Sequence, residues 1–187
     1  MSDRTYPDEP AGPFAEPPFS FSDGEGREIE VRPFHADADR SEEELAALVE
    51  MYDAFDPADR AQGIPPSRES AIRDWLDSIL GGGGFNVIAW DGDRAAGHAT
   101  LVPDDDEVYE LAIFVLQAYQ GAGIGTRLIE GLLGHGAENG VERVWLTVER
   151  WNRPAVSLYE KVGFETSDAE SFELEMTAWL GTPRGDG

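Results

Sequence analysis

The chain has 187 residues, enough for one domain with a sizeable core, and 41% of them are hydrophobic, which suits a water-soluble globular protein. It has no cysteine, which excludes disulfides, a thiolate nucleophile and cysteine-ligated zinc; its three histidines (His35, His98 and His135) lie far apart, so no metal site is expected. The formal net charge is −24, and the 14 basic residues include a single lysine, Lys161, and form no basic patch, which argues against a nucleic-acid partner.

Residues 1–26 are rich in proline and their apolar residues have no periodicity, so a disordered or loosely packed arm is expected, with Phe14, Phe19 and Phe21 free to dock at places the sequence does not set. Residues 27–34 alternate, with Ile29 and Val31 inward, and read as a first strand. Ser41 and Glu44 form a capping box ahead of Leu45, Leu48, Val49 and Tyr52 at helical spacing. After a polar connection with Pro57, Pro65 and Pro66, Ser67 is the expected cap of a second helix, whose apolar face is Ile72, Trp75, Leu76, Ile79 and Leu80. Gly81 to Gly84 follow a helix and precede a strand, the wrong order for an anion loop, and read as a flexible connection. Residues 85–90 and 94–102 are strands joined by a tight turn at Asp91-Gly92-Asp93.

The acidic turn Asp104-Asp105-Asp106 leads into a nearly all-apolar run, 108–116, expected to be a central strand covered on both faces. Gln120-Gly121-Ala122-Gly123-Ile124-Gly125-Thr126 comes next, and then a helix to about Asn139. Strand, glycine turn and helix N-terminus together make an anion site, because the first helical N–H groups lack intrahelical partners and glycine lets the backbone approach a phosphate. No Asp or Glu occurs from Leu111 to Ile129, so negative charge is kept away from that turn. Gly131, Gly134 and Gly136 weaken the helix, each by about 1 kcal/mol relative to alanine. A strand at 143–148, a helix beginning near Pro154 with Ala155, Leu158, Tyr159 and Val162 on its apolar face and Gly163 as its C-cap, a strand with Phe172, Leu174 and Met176 inward, and a polar tail at 181–187 complete the chain.

The glycine turn lacks the Gly-Lys-Ser/Thr ending of an NTPase loop, since Gly125-Thr126-Arg127 stands there, and it comes too late, after antiparallel hairpins, for a dinucleotide fold. Gln120-x-x-Gly123-x-Gly125 after a central strand resembles the coenzyme A signature of the GNAT acyltransferases. Asn152, Ala155, Tyr159, Gly163 and Phe164, downstream at family spacing, extend the resemblance, which is strongest over residues 109–164. Gln117 departs from the pattern, because many members have proline there.

The resemblance implies an α/β (α+β) fold with a mixed, mostly antiparallel central sheet whose two central parallel strands splay apart between flanking helices, spanning 27–180. It implies acetyl-CoA as co-substrate and direct transfer to an amine, without a covalent enzyme intermediate and without metal. Val115 and Leu116 would pair by backbone with the pantetheine arm, and Val115 N–H would be the oxyanion donor. The backbone of Gly121, Ala122, Gly123, Ile124, Gly125 and Thr126, with Gln120, would hold the pyrophosphate. Asn152 would contact the cofactor. Tyr159 would protonate the departing thiolate, a sensible acid because its pKa of about 10 lies near that of a thiol; the bland alternative is a core aromatic. Glu110, which some protein-acetylating members match with a Glu before a similar apolar run, is the candidate base if buried, against the alternative that it faces water near the strand's start; His98 is the second candidate, or a satisfied structural histidine. The acceptor pocket would be walled by residues 52–64, with Phe55 and Asp56, and by Asp104 to Asp106.

The resemblance implies that the acceptor is an amine, on a small molecule or on a protein lysine or N-terminus. An acyl-CoA-binding sensor or interaction module without catalysis is the alternative, and a homodimer stays open. The dispersed acids fit either a surface adapted to high salt, as in a halophile, or a field that attracts a cationic substrate. No apolar run is long enough to span a membrane and no signal-peptide pattern is present, so a cytoplasmic protein with no membrane partner is expected.

Overall fold

A computed structural model describes residues 4–34, 38–59, 65–104, 107–170 and 172–182. Eight strands and four helices follow in order: β1 (Phe19–Ser22), β2 (Glu28–Pro33), α1 (Ala38–Asp53), α2 (Glu69–Gly81), β3 (Phe85–Asp91), β4 (Arg94–Pro103), β5 (Tyr109–Val115), α3 (Ile124–Glu138), β6 (Arg143–Glu149), α4 (Arg153–Val162), β7 (Glu165–Ala169) and β8 (Glu173–Trp179). They form one sheet in the order β1-β2-β3-β4-β5-β6-β8-β7. Every neighbouring pair is antiparallel except β5 and β6, which are parallel. The architecture is the expected mixed α/β sheet.

Side-chain alternation along β4 and β5 sorts the helices onto two faces. His98 and Phe114 point to α1 and α2: Phe114 sits edge-on to Tyr52 at 5.5 Å and to Trp75 at 5.4 Å. Gly97, Ile113 and Val115 point the other way, where the first turn of α3 lies against Ile113 and Val115 at Gly125. The core, including Tyr52, Leu76, Ile88, Leu101, Leu128 and Phe164, fills both layers.

Several expectations are corrected. The N-terminal arm is neither disordered nor loosely packed over its described residues. Phe19 and Phe21 alternate with serines, so β1 forms and pairs with β2, Phe19 opposite Val31. Phe14, Phe19 and Phe21 pack on the core, and Ala11 N–H donates to Trp179 O at 2.7 Å. Ser41 is not an N-cap; α1 begins before it, at Ala38, and Glu44 is buried on that helix beside Arg32 at 3.9 Å. Arg68, not Ser67, occupies the cap of α2. Phe172 precedes β8 and is 68% exposed, edge-on to Trp151 rather than turned inward. β7 was not expected, because its residues Glu-Thr-Ser-Asp-Ala are polar, which an edge strand tolerates and a pattern of apolar alternation cannot detect. β5 is central but only half covered, for a reason that defines the site.

Candidate active site

Among the described residues β5 and β6 are paired only at Tyr109↔Val144 and Glu110↔Trp145. Beyond that point the parallel strands part, and a cleft of about 310 Å³ opens between them, lined by Ala112, Phe114, Thr147, Glu149, Asn152 and Tyr159 among others. This gap is why Ala112 to Val115, all apolar, are only half-buried.

The ladder to β4 fixes which backbone groups face the gap. Leu116 N–H donates to Ala96 O at 2.9 Å, and Val115 stands opposite Gly97. Antiparallel alternation therefore turns the N–H and C=O groups of Leu111, Ile113 and Val115 away from β4 and toward the cleft. The expected pairing role of Leu116 is corrected by the same geometry. Its N–H is committed to β4, its C=O accepts from Tyr119 N–H at 2.8 Å, and its side chain is buried.

A single 3-10 turn, Gln117–Tyr119, separates β5 from the glycine turn. Gly121 and Gly123 have φ of +74° and +87°, conformations that a side chain would strain, and Gly123 is the cap of α3, without any side-chain cap. The first helical bond runs from Arg127 N–H to Gly123 O at 3.5 Å. The N–H groups of Ile124, Gly125 and Thr126 therefore start the helix with no intrahelical partner, at the positive end of its dipole. Ile124 and Ala122 bury their side chains and can offer only backbone. Gln120 folds back, its amide donating to Val115 O at 3.0 Å. The unpaired amides of α3 and the backbone groups of β5 that face the gap fit a pyrophosphate-bearing acyl thioester.

On α4, Pro154 stands in the first turn and Asn152 is the N-cap, its side-chain oxygen accepting from Ala155 N–H at 3.4 Å while it lines the cleft. Tyr159 lies two turns on, 8% exposed, edge-on to Phe164 at 5.9 Å, and lines the same cleft. Burial pushes its phenol up to about 12.

Glu110 sits at the closed end of the wedge and lines the cleft on the α1–α2 face. It is exposed rather than buried as expected. Its carboxyl nevertheless lies above the ordinary range, first because partial desolvation disfavours the charge and then because Asp104 is near; Arg4 opposes both. His98 is a structural residue. It is fully buried, its Nδ1 at 2.6 Å from the Tyr52 hydroxyl and its Nε2 at 2.8 Å from Asn86 Oδ1. An amide oxygen only accepts, so Nε2 carries the proton and Tyr52 donates to Nδ1. Burial lowers its pKa to about 3.

Of the expected acceptor wall, Tyr52 and Phe55 are buried beside Phe114, whereas residues 60–64, Asp105 and Asp106 lie outside the described residues. Three supports were not foreseen. Gln117, in place of the common proline, donates to Ala54 O at 2.7 Å and accepts from Asp56 N–H at 3.2 Å, tying the segment after α1 to the turn. Gly24 N–H donates to Ala122 O at 2.8 Å, so the β1–β2 hairpin buttresses the glycine turn. Asp23 organises that hairpin. Burial alone would raise its carboxyl, but hydrogen bonds from Arg27 and Glu25 amides and from the Arg27 guanidinium bring it below the usual range. The Asp-Gly at 23–24 was a readable turn signal. Last, Arg4 lies over the Trp145 ring at 3.7 Å and pairs with Glu175 at 3.3 Å and Asp104 at 3.7 Å. Among the described residues no group of three or more potential ligands is arranged for a metal, and no helix is long and apolar enough to cross a membrane.

Residues 45–164 match the acetyltransferase (GNAT) family. The chain belongs to the GNAT family. A GNAT domain from S. lividans superposes with a TM-score of 0.67 at 18% identity, covering 87% of this chain and 96% of that one. The ribosomal-protein-S18-alanine N-acetyltransferase of Escherichia coli gives 0.63 at 20% identity, covering 84% and 97%. At such identities these GNAT structures speak to the fold. By sequence, mycothiol acetyltransferase of Corynebacterium efficiens is 39% identical over 83 residues, 44% of this chain and 28% of that protein. The same-named protein of a Nocardioides species is 31% identical over 157 residues, 76% of this chain and 52% of that protein. This GNAT chain thus spans about half or less of the length of these curated relatives.

Proposed function

We propose that this GNAT chain transfers the acetyl group of acetyl-CoA to a primary amine by direct attack. The observation that carries this reading is the wedge itself: a gap between parallel strands with backbone N–H groups on one wall and a buried tyrosine on the other, leading to a helix N-terminus free of acidic residues. Gly121 to Thr126 would hold the pyrophosphate, and Leu111, Ile113 and Val115 would align the pantetheine arm. Asn152 would contact the arm where α4 begins. The substrate supplies an activated thioester; the chain orients it and manages protons.

The amine must arrive neutral, so a base takes its proton. Glu110 is proposed for this, through water, because it stands on the acceptor face with a raised pKa. As the C–N bond forms and the C–S bond breaks, charge grows first on the carbonyl oxygen, where Val115 N–H, facing the gap, would stabilise it, and then on sulfur. Tyr159, protonated at every working pH by its pKa of about 12, gives sulfur its proton. The names of the mycothiol acetyltransferases favour a small-molecule acceptor over a protein one.

Thiol release from acetyl-CoA, measured with a panel of amines, tests the reading. Release that depends on the amine is expected. Protection by acetyl-CoA against thermal unfolding, with no release for any amine, would instead establish a binding module.

A further inference from the structure

The turn Gln117–Tyr119 lies between Val115, whose N–H faces the gap, and the glycine turn at α3. Each of its three residues is tied to a different part of the molecule. The Tyr119 hydroxyl donates to Asp91 Oδ2 at 2.7 Å, at the end of β3. Ala118 O accepts from the Arg27 guanidinium at 3.2 Å, next to the β1–β2 hairpin. Gln117 reaches the chain that leaves α1, the helix that covers the Phe114 face.

The Gln117 amide is matched to the two backbone groups it meets. α1 ends at Asp53, and Ala54 N–H closes it on Glu50 O at 3.2 Å. Carbonyls at a helix end have no partner within the helix, and Gln117 Nε2 donates to Ala54 O at 2.7 Å. Two residues on, Asp56 N–H donates to Gln117 Oε1 at 3.2 Å, while the Asp56 carboxylate accepts from Ala58 N–H at 2.9 Å and opens the next turn. One side chain must both donate and accept here. A primary amide does so; a carboxylate only accepts and an ammonium only donates. Phe55 is held between the two bonded residues. Its ring, 5% exposed, stacks on Tyr52 at 5.6 Å and stands edge-on to Phe114 at 6.4 Å, and Phe114 lines the cleft.

Both amide bonds lie at the surface, where a hydrogen bond adds little net stability, so what they set is position. Resting on the acetyltransferase reading, we propose that Gln117 is a positioning residue for the acceptor. It fastens residues 54–56, and through Phe55 the Phe114 wall of the cleft, to the backbone that carries the acyl group, so that amine and thioester are held in register. The cofactor side has supports of its own in the bonds from Gly24 to Ala122 and from Tyr119 to Asp91, so the loss of Gln117 falls on the amine.

Proline is the informative substitution. Leu116 is extended, at φ −60° and ψ 139°, and Gln117 is the first residue of its turn, so proline fits there without strain and removes only the amide clamp. Gln117→Ala removes the clamp and leaves the turn less stiff. The experiment measures thiol release from acetyl-CoA with butylamine, phenethylamine and a lysine-containing peptide, and reads hydrogen exchange at the Asp56 amide as a signal independent of turnover. Both variants should raise KM for the amine that the parent uses best by at least about fivefold, with kcat and KM for acetyl-CoA within about twofold. Tm should stay within about 4 °C of the parent, and exchange at Asp56 should quicken by at least about fivefold. A parent-like amine KM in Gln117→Pro with a loss in Gln117→Ala would show that stiffness of the turn, not the clamp, is what matters, and would overturn the proposal. Unchanged exchange at Asp56, or a rise in KM for acetyl-CoA equal to that for the amine, would overturn it too. None of these results touches acetyl transfer itself. Absence of release by the parent with every amine would strike the acetyltransferase reading and this assignment with it.

Discussion

Tyr159 owes its assigned role to burial, which keeps the phenol protonated well past neutrality, so any alkaline fall in rate below pH 10 belongs to another group. Glu110 works in the opposite sense. Its pKa is raised and the base must be ionised, so kcat/KM should fall as pH drops through a value above the ordinary glutamate range. Glu110→Gln should remove that limb and lower the plateau about a hundredfold; a variant that keeps the limb would clear Glu110 of the role. His98 shows itself in stability instead. Its folded pKa of about 3 is below the unfolded value of about 6.5, so the unfolded chain binds a proton that the folded chain does not. The stability it provides is complete above pH 6.5 and declines below it by about 1.4 kcal/mol per pH unit. Urea unfolding of His98→Gln against the parent should therefore show a difference that narrows from pH 6.5 to pH 4. These residues differ in how far sequence could place them. The spacing from Asn152 to Phe164 located Tyr159, whereas the exposure of Glu110 depends on where β5 and β6 part, which no local pattern encodes.

At the scale of elements, the N-terminal hairpin and α3 explain each other. The glycines of α3 look like faults in a helix until the arm is laid on it. A Cβ at Gly131 would meet Val31 at 2.9 Å, and one at Gly134 would meet the carbonyl of Ala15. Gly134→Ala should therefore lower Tm, although alanine favours an isolated helix by about 1 kcal/mol, because the displaced contact is backbone. A raised Tm would mean that the arm is not seated there. The central strands, α2, α3 and α4 were legible because their apolar spacing is regular and their ends carry glycine or proline. β1 and β7 were not, since both are short and earn their place by pairing with a neighbour: Phe19 with Val31, Glu165 with Thr177. The glycine turn was legible as an anion site, but its buttress at Gly24 was not, because that contact joins residues nearly a hundred positions apart.

For the whole molecule, a net charge of −24 sets a repulsion that salt relieves. If the acidic surface is an adaptation to high salt, Tm should rise steadily as KCl is raised from about 0.1 M to about 1 M, where the screening length falls from about 10 Å to about 3 Å. A flat response would leave the carboxylates to substrate attraction alone. Within this field the first turn of α3 carries no acidic residue, and the proposed function has acetyl pass from a cofactor seated there, through the wedge, to the amine. Amine-dependent thiol release from acetyl-CoA, run side by side on the parent and Tyr159→Phe, tests this most directly. The account expects release by the parent and a loss of about a hundredfold in kcat for the variant, with KM for acetyl-CoA within about twofold. Equal turnover by the two proteins, or release without any amine requirement, would contradict it.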